Sequence, residues 1–584
     1  MNKQWLPVLP EQKESIKLLY SELINFAKNP NQETKTAYLI FSRLLVNRGI
    51  KSVNEAIQFN KIDFQKLHDP FKMKGMKDAV NRIQKGVKTN EKIMIYGDYD
   101  VDGTTSVALL TTYLKSLHKN LIYYIPDRYK EGYGVSLKSI DYAKENGVKL
   151  IIALDCGIKA VNEIEYANQL NIDYIICDHH TPGTKIPMAV AVLDPKRNDC
   201  EYPYKELSGC GIGFKLCQAL EISKPSNYNL EMLLDFVAIS IACDIVPLTG
   251  ENRVLASLGL KRINNHPRPS LSILLGEKEN NQEIRISDLV FQIGPKINAA
   301  GRISNGKTAV DLLLAKNENE ISEYGSQINT YNIERKGKDK LITEEALQQI
   351  ESNTENATKN SNVLYKKNWH KGVIGIVASR VIEKYYKPTI VLTSSGNGII
   401  SGSVRSVKGF NVYNALEQCQ EHLIQFGGHK YAAGLTMKES QLKGLQRRFE
   451  EVVTLQMETE RFTPTINYEA ELELQNVNLK LQQLINKLEP FGPSNMTPTF
   501  ITKNVVDTGK SRAVGADKTH LKLEVTDPNT GTIVQGIAFG LGKLENQIKS
   551  GIAFNIAYTI DINYWKGNST IQLMVKDINF TDKK

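Results

Sequence analysis

The chain has 584 residues, with 73 basic against 64 acidic side chains and 41% hydrophobic residues. At roughly 100–200 residues per domain that length predicts three or four domains, each able to bury a core; 23% charged residues and a mean hydropathy of -0.31 exclude a wholly disordered chain. No apolar stretch approaches the ~20 residues of a membrane span, and seven cysteines without a CxxC pair do not make a disulfide framework.

The opening MNKQWLPVLPEQKES has no basic region followed by an apolar one, so it predicts no secretory signal and a cytoplasmic protein. Charge is uneven. Residues 1–90 carry 16 Lys/Arg and 8 Asp/Glu, and so hold nearly all of the net +9. A basic front suggests an anionic partner such as nucleic acid, with a solvated helical surface as the plainer explanation. Residues 1–75 are taken as a basic, helical N-terminal segment.

From residue 92 short β-rich runs recur: KIMIY (92–96), LIYYI (121–125), KLIIAL (149–154), YIIC (174–177) and AVAVL (189–193). The first four are spaced for crossover helices such as TTSVALLTTYLKSL (104–117), which predicts an α/β domain with a parallel sheet over 76–311. In such sheets ligands sit beyond the carboxyl ends of the strands, so the residues that follow each run are the ones to read for chemistry.

Residues 312–358 are mostly polar and proline-free, and predict a long connecting helix with a linker that begins near 353. A second α/β domain is expected over 359–456: NVLYKK, a helix VIGIVASRVIEKYY (373–386), strands in PTIVLTS and GIISGSVRS, and a charged helix near 438–455. In 457–584 polar and apolar residues alternate in YEAELEL, HLKLEV and TIVQGIAF, with one helix near LKLQQLINKL (479–488). That pattern predicts a small β module.

The first strand runs into Gly97-Asp98-Tyr99-Asp100-Val101-Asp102-Gly103. If the strand continued, Asp98, Asp100 and Asp102 would share one face, and three like charges held together call for cations. An EF-hand loop is excluded because its twelfth position is Leu109, not a bidentate Glu, and a strand leads in. KLIIAL ends at Asp155-Cys156-Gly157, YIIC at Asp178-His179-His180, and FVAISIAC (236–243) at Asp244. Each acid alone would pass as a cap or turn residue. Four acidic ends with a His pair on one sheet edge point instead to a metal site, and oxygen ligands with one or two imidazoles suit Mn²⁺ or Mg²⁺. Cys156, Cys177 and Cys243 are read as small buried hydrophobes. Carboxylate-held ion pairs activate water and stabilise charge on phosphoryl oxygens, so phosphoester hydrolysis is the leading reaction class.

The strings GDYDVDG, DCG, DHH and CDIVPL resemble the DHH phosphoesterase superfamily, and FGGHKYAAG (426–434) resembles the glycine-rich motif of its DHHA1 domain. YIPDRYKEGYG (124–134), LSGCGIGFKL (207–216), IGPKINAAGR (293–302), WHKGVIGIVASR (369–380) and PFGPSN (490–495) narrow the resemblance to the RecJ family of single-strand-specific 5′→3′ DNA exonucleases. It extends over about residues 70–580 and implies a DHH catalytic domain, a connecting helix, a DHHA1 domain and a C-terminal OB-fold β-barrel.

The resemblance implies two divalent cations, Mn²⁺ or Mg²⁺. Asp100 would bind the first, Asp102, His179 and Asp244 the second, and Asp155 would bridge them; Asp98 and Asp178 would support these ligands, and His180 would face the scissile phosphate. Arg128, Asn298 and Arg302 would contact substrate near the ions. Ser403, Arg405, Gly427, Gly428 and His429 would form a pocket for a terminal phosphate or base; a tight turn is the plainer reason for the glycines. Tyr564 and Trp565 are candidates for base stacking, with core packing as the alternative. The implied reaction is stepwise hydrolysis of single-stranded DNA from a 5′ end to 5′-mononucleotides, in recombination and repair. The implied partners are a single-strand-binding protein and a helicase, with the chain a monomer and no membrane involved. Other expectations to weigh are an oligonucleotide or nucleoside-bisphosphate phosphodiesterase of the same superfamily and a replication scaffold without catalysis. A dinucleotide-binding protein is excluded, because aspartates stand where GxGxxG would follow the first strand.

Overall fold

The computed structural model describes residues 3–8, 12–276, 283–352, 358–459, 462–565 and 568–580. They form two compact units: residues 1–61 with 463–491 and 495–584, and residues 62–462 with 492–494.

The chain opens with strand β1 (Gln4–Pro7) and helices α1 (Lys13–Leu23), α2 (Gln32–Val46) and α3 (Val53–Asn60). Asn31 caps α2 by accepting the Thr34 N–H at 2.9 Å, and Ser52 with Glu55 forms a capping box on α3. The sequence predicts a separate helical piece here. In the structure the segment is part of the C-terminal module's own core, as described below.

In the second unit, strands β2 (Ile93–Gly97), β3 (Leu121–Tyr124), β4 (Leu150–Leu154), β5 (Asp173–Cys177) and β6 (Ala191–Leu193) form a parallel sheet in the order β3-β2-β4-β5-β6. Every residue of β2 and β4 is buried, because helices cover both faces; that is why these strands read as unbroken apolar runs. Helix α4 (Val101–Leu117) follows β2 directly, so the acidic string is a strand end and a helix start rather than a continued strand. Asp98, Asp100 and Asp102 therefore do not share one strand face. Helices α5 (Gly209–Ser223) and α6 (Leu234–Cys243) pack on α4 and are apolar nearly all round. Helix α7 spans Gly294–Ile303.

The long helix α8 is Glu318–Glu351, capped by Asn317, whose side chain accepts the Glu320 N–H at 2.9 Å. It begins later than the composition suggests, because Lys307–Leu314 is a separate helix. Its 34 residues extend about 50 Å at 1.5 Å per residue. The expected linker begins at this helix's end, and its residues 353–357 lie outside the described residues.

Next come β7 (Asn362–Tyr365), α9 (Ile374–Tyr385), β8 (Thr389–Gly396), β9 (Ile399–Arg405), β10 (Gln425–His429), β11 (Ala432–Lys438) and α10 (Leu442–Thr459). The sheet order is β10-β11-β9-β8-β7. Register places Gly427 opposite Gly434, and Gly434 opposite Ser403.

The C-terminal module holds β12 (Thr465–Tyr468), β13 (Ala470–Glu471), α11 (Leu479–Asn486), β14 (Phe500–Asp507), β15 (Arg512–Val514), β16 (His520–Thr526), β17 (Ile533–Ala538), β18 (Phe554–Trp565) and β19 (Asn568–Phe580). Its sheet runs β13-β14-β18-β19-β17-β16-β15, and β14 also pairs with β16 at Val506–Thr526 and Asp507–Val525. That extra pairing closes five strands on themselves, as the expected barrel requires. Strand β1 pairs in parallel with β12, and Leu19, Phe41, Leu44 and Leu45 share one core with Leu481, Ile485, Phe500 and Tyr558. Arg48 donates to Glu469 at 3.0 Å and to Asn495 at 2.8 Å. The exposed lysines 17, 28 and 35 thus belong to this module, which its own sequence leaves nearly neutral. The side chains of Tyr564 and Trp565 lie outside the described residues. Among the described residues no helix is long and apolar enough to cross a membrane.

Candidate metal centre and substrate groups

The carboxyl ends of β2, β4 and β5 deliver Asp98, Asp155 and Asp178, the first turn of α4 delivers Asp102, and the end of α6 delivers Asp244. Among the described residues two groups of side chains could hold a metal ion: Asp102, His179 and Asp244, and Asp155, His179 and His180. Nε2 of His179 lies 3.1 Å from Asp155 Oδ1, 3.4 Å from Asp244 Oδ2 and 3.7 Å from Asp102 Oδ2. Yet His179 Nε2 and Asp155 Oδ1 are both buried without a hydrogen-bond partner. Buried polar atoms are normally paired. Atoms that converge without bonding one another suit ligands of a common cation, so the residues present fit a divalent ion, and an oxygen-rich set with imidazole suits Mn²⁺ or Mg²⁺.

Asp102 is held by an unusual number of donors. Its Oδ2 accepts the Gly209 N–H at 2.7 Å; its Oδ1 accepts the Cys210 N–H at 2.8 Å and the Ser240 hydroxyl at 2.7 Å. The first two are free amides at the start of α5, where a helix favours negative charge. This is the structural meaning of LSGCGIGFKL, a string that family resemblance singles out without giving it a role. A side chain at Gly209 has no room: a Cβ there would stand 2.7 Å from Asp155 Cβ.

Asp155 sits in the left-handed backbone region, at φ 60, with its N–H on the Cys177 carbonyl at 2.8 Å. Such strain at a non-glycine residue persists only where surroundings enforce it. Asp100 caps α4, its Oδ1 accepting the Gly103 N–H at 3.1 Å, and it stands outside both groups that could hold an ion. Asp98 is fully buried behind them. Burial, then the neighbouring carboxylates, push Asp98, Asp100, Asp155 and Asp244 above the usual carboxylate range. That is the electrostatic signature of a site that needs cations.

Asp178 behaves oppositely. Although buried, it falls to about 2 because His180 bonds to it and the Ile158 N–H donates to it at 2.9 Å. Its Oδ1 also accepts the backbone N–H of His179 at 2.7 Å, and His180 Nδ1 lies 2.8 Å away. His180 is raised above its ordinary value: burial opposes its charge, but Asp178 more than offsets it. Its other ring nitrogen lies 3.1 Å from the Tyr133 hydroxyl. Tyr133 belongs to YIPDRYKEGYG, but sequence reasoning singles out only Arg128 from that string.

Arg128 stacks over Tyr99, 4.8 Å from the ring centroid. Arg302 donates to the Gly372 carbonyl at 2.9 Å, and Arg405 bonds to Ser403 Oγ at 3.2 Å. Burial and the charges of Arg128, Arg405 and Arg335 bring Arg302 down to about 10; burial and Arg128 lower Arg405. Guanidiniums that lower one another in this way are groups that an anion would stabilise. Asn298 is half-buried on α7. Gly427 and His429 are exposed, and partial burial with the charges of Lys159, His180 and Lys196 lowers His429. The two glycines differ. A Cβ on Gly428, at φ 146, would strike Ala432 O at 2.4 Å, so packing explains it; at Gly427 nothing lies within 4 Å. Cys156 and Cys177 are buried and free, as expected; Cys243, also free, is only partly buried.

Comparison with known proteins places these features. Residues 92–241 match the DHH family, N-terminal domain; 360–455 the DHHA1 domain; and 468–577 the RecJ OB domain. A single-stranded-DNA-specific exonuclease RecJ of Bacillus subtilis is 37% identical over 540 residues, which are 92% of this chain and 67% of that one. The Escherichia coli protein of the same name is 32% identical over 566 residues, 92% of this chain and 95% of that one. The fold is similar to a crystal structure of RecJ in complex with Mn²⁺ from Thermus thermophilus, with a TM-score of 0.80, 23% identity, and 99% of this chain and 80% of that one covered. The chain therefore belongs to the RecJ family.

Proposed function

We propose that this protein is a single-stranded-DNA-specific exonuclease that hydrolyses phosphodiester bonds 5′→3′ and releases 5′-mononucleotides, using Mn²⁺ or Mg²⁺. The observation that carries this reading is the convergence of Asp102, Asp155, Asp244 and His179 on one point with buried atoms left unbonded. Asp102, His179 and Asp244 would hold one cation, Asp100 the other, and Asp155 both. Bound cations would supply activation of water and neutralisation of phosphoryl charge.

The remaining residues bind and orient the strand. His180, whose charged form Asp178 favours, would turn its Nε2 N–H from the Tyr133 hydroxyl to a phosphate or leaving oxygen. Arg128, Arg302 and Asn298 grip phosphate oxygens beside the carboxylates. Ser403, Arg405, Gly427 and His429 seat the 5′-terminal phosphate, the open space at Gly427 letting an anion approach the backbone. Asp98, buried in the same cluster with neither carboxylate oxygen hydrogen-bonded, would be an auxiliary group of the site. The barrel would grip the strand, helped by the basic N-terminal helices. The name of the relatives supports single-stranded DNA as substrate; a role in recombination and repair, a single-strand-binding protein and a helicase as partners, and a cytoplasmic location are what the family resemblance implies.

The test is digestion of long 5′-labelled and 3′-labelled single strands with Mn²⁺, beside Asp155→Ala. Early release of labelled mononucleotide from the 5′ label alone, lost in the variant, is the expected result. Degradation confined to di- to pentanucleotides would replace it with the oligonucleotide phosphodiesterase reading, and no cleavage under any metal with the scaffold.

A further inference from the structure

One short segment, residues 128–133, reaches from the carboxylate cluster to the junction with the second domain of the same unit. Arg128 rests on Tyr99, and Tyr133 meets His180 beside the carboxylates. Between them Tyr129 reaches toward the other domain of the same unit: its hydroxyl donates to the carbonyl of Arg302, and its ring meets the His370 ring edge-on at 6.1 Å. Arg302 in turn donates to the carbonyl of Gly372. Gly372 is fitted into this junction without slack. A Cβ on it would stand 2.4 Å from the Tyr129 hydroxyl and 2.5 Å from the Arg302 carbonyl oxygen. Three residues on, at Gly375, a Cβ would stand 2.8 Å from Ser403 Oγ and 3.1 Å from the Arg405 guanidinium. Residues 128–133 thus meet His180 through Tyr133 and the Arg302–Gly372 junction through Tyr129, and Gly375, on the same chain segment as Gly372, stands close beside Ser403 and Arg405.

We propose that the Tyr129–Arg302–Gly372 latch is a ruler: it fixes the span between the carboxylate cluster and the Ser403–Arg405 pocket, and so sets product length at one nucleotide. The inference rests on the proposed exonuclease reading, because a length is defined only if a 5′ end seats at Ser403 and Arg405. Tyr129 and Gly372 are positioning residues; neither lies among the groups proposed to hold cation or phosphate. The physical basis is that buried Gly372 has no free space against the Tyr129 hydroxyl and the Arg302 carbonyl, so a shift on one side is passed to the other. Widening it displaces the whole pocket, so the bond presented to the carboxylates lies further along the strand.

The test uses the full chain with Mn²⁺ and a uniformly labelled single strand bearing a 5′-phosphate, with products resolved by length. The unmodified protein is expected to yield mononucleotide. Gly372→Ala, which has no room for its methyl group, is expected to yield a substantial fraction of dinucleotide and longer products. Tyr129→Phe, which unties one bond without crowding, is expected to give a smaller fraction of the same kind. In the double variant Tyr129→Phe with Gly372→Ala one of the two collisions is removed, and the product pattern should move back toward mononucleotide. If Gly372→Ala cuts more slowly but still releases mononucleotide alone, the ruler is overturned and the junction is merely structural. If Gly372→Ala fails to fold by circular dichroism, Tyr129→Phe decides, and an unchanged product pattern overturns the proposal. Absence of cleavage by the unmodified protein would instead remove the exonuclease reading, and the ruler with it.

Discussion

The backbone N–H of Gly209 lies 2.7 Å from Oδ2 of Asp102, so the start of one buried helix clamps the carboxylate at the start of another. The clamp works only because residue 209 lacks a side chain. An added Cβ would lie 2.7 Å from Asp155 Cβ and 3.0 Å from Asp102 Oδ2, pushing apart two of the residues proposed to share a cation. Gly209→Ala is therefore expected to lower single-strand hydrolysis about 100-fold, the scale of an ångström-level misplacement in an active site. Its Mn²⁺ affinity, read by calorimetric titration, should fall with it. Retained affinity together with retained rate would show that the helix start is not a clamp.

Asp194 yields a pH prediction away from the proposed ligands. It is fully buried, with Oδ1 accepting the Lys196 N–H at 2.7 Å and Oδ2 unpartnered. Burial, aided by the charge of Asp178, lifts it to about 7. An unfolded Asp titrates near ~3.9. Between those values the folded chain keeps a proton that the unfolded chain has lost. Stability from this group is thus full below about pH 4 and is lost as pH rises toward about 7, by at most ~4 kcal/mol. Asp194→Asn removes that loss. Melting curves of the metal-free protein at pH 5 and pH 8 should show the variant gaining more on the parent at pH 8 than at pH 5. Parallel shifts at both pH values would refute the titration.

The catalytic sheet was legible because parallel strands buried on both faces leave apolar runs, and the residues that end them stand out: Asp155 after β4, and Asp178 and His179 after β5. Asp100 was readable too, as a cap. An Asp directly before a helical run is an N-terminal signal, and taking the strand as continuing conceals it. The clamp on Asp102 was not legible, since its principal donors are backbone amides of Gly209 and Cys210, 107 and 108 residues away, and any sequence supplies amides. Nor was the placement of residues 1–61. Their apolar periodicity predicts helices with one buried face, but that Leu44 and Leu45 share a core with Leu481 and Phe500 depends on contacts more than 400 residues apart. Local pattern sets which face is buried, not what buries it.

Ile245 follows Asp244 and is strained without compensation. It adopts φ 61, the left-handed region that glycine favours just past a helix end, and its side chain is 69% exposed, so little packing offsets the cost. The left-handed conformation costs an L-residue roughly 1–2 kcal/mol, whereas glycine adds about 0.5–1 kcal/mol of unfolded-chain entropy. Ile245→Gly is thus expected to raise stability by up to ~1 kcal/mol, a rise in Tm measurable by calorimetry. Activity should move the other way. The stiff residue restricts the backbone that carries Asp244, and a glycine there frees the carboxylate to wander from His179, now 3.4 Å away. A more stable, slower enzyme is the trade expected when strain serves a site. Ile245→Asn, which tolerates the left-handed region while keeping a side chain, should recover part of the stability with a smaller loss of rate. If both variants melt below the parent, contacts made by the isoleucine outweigh its strain, and the account of this turn is wrong.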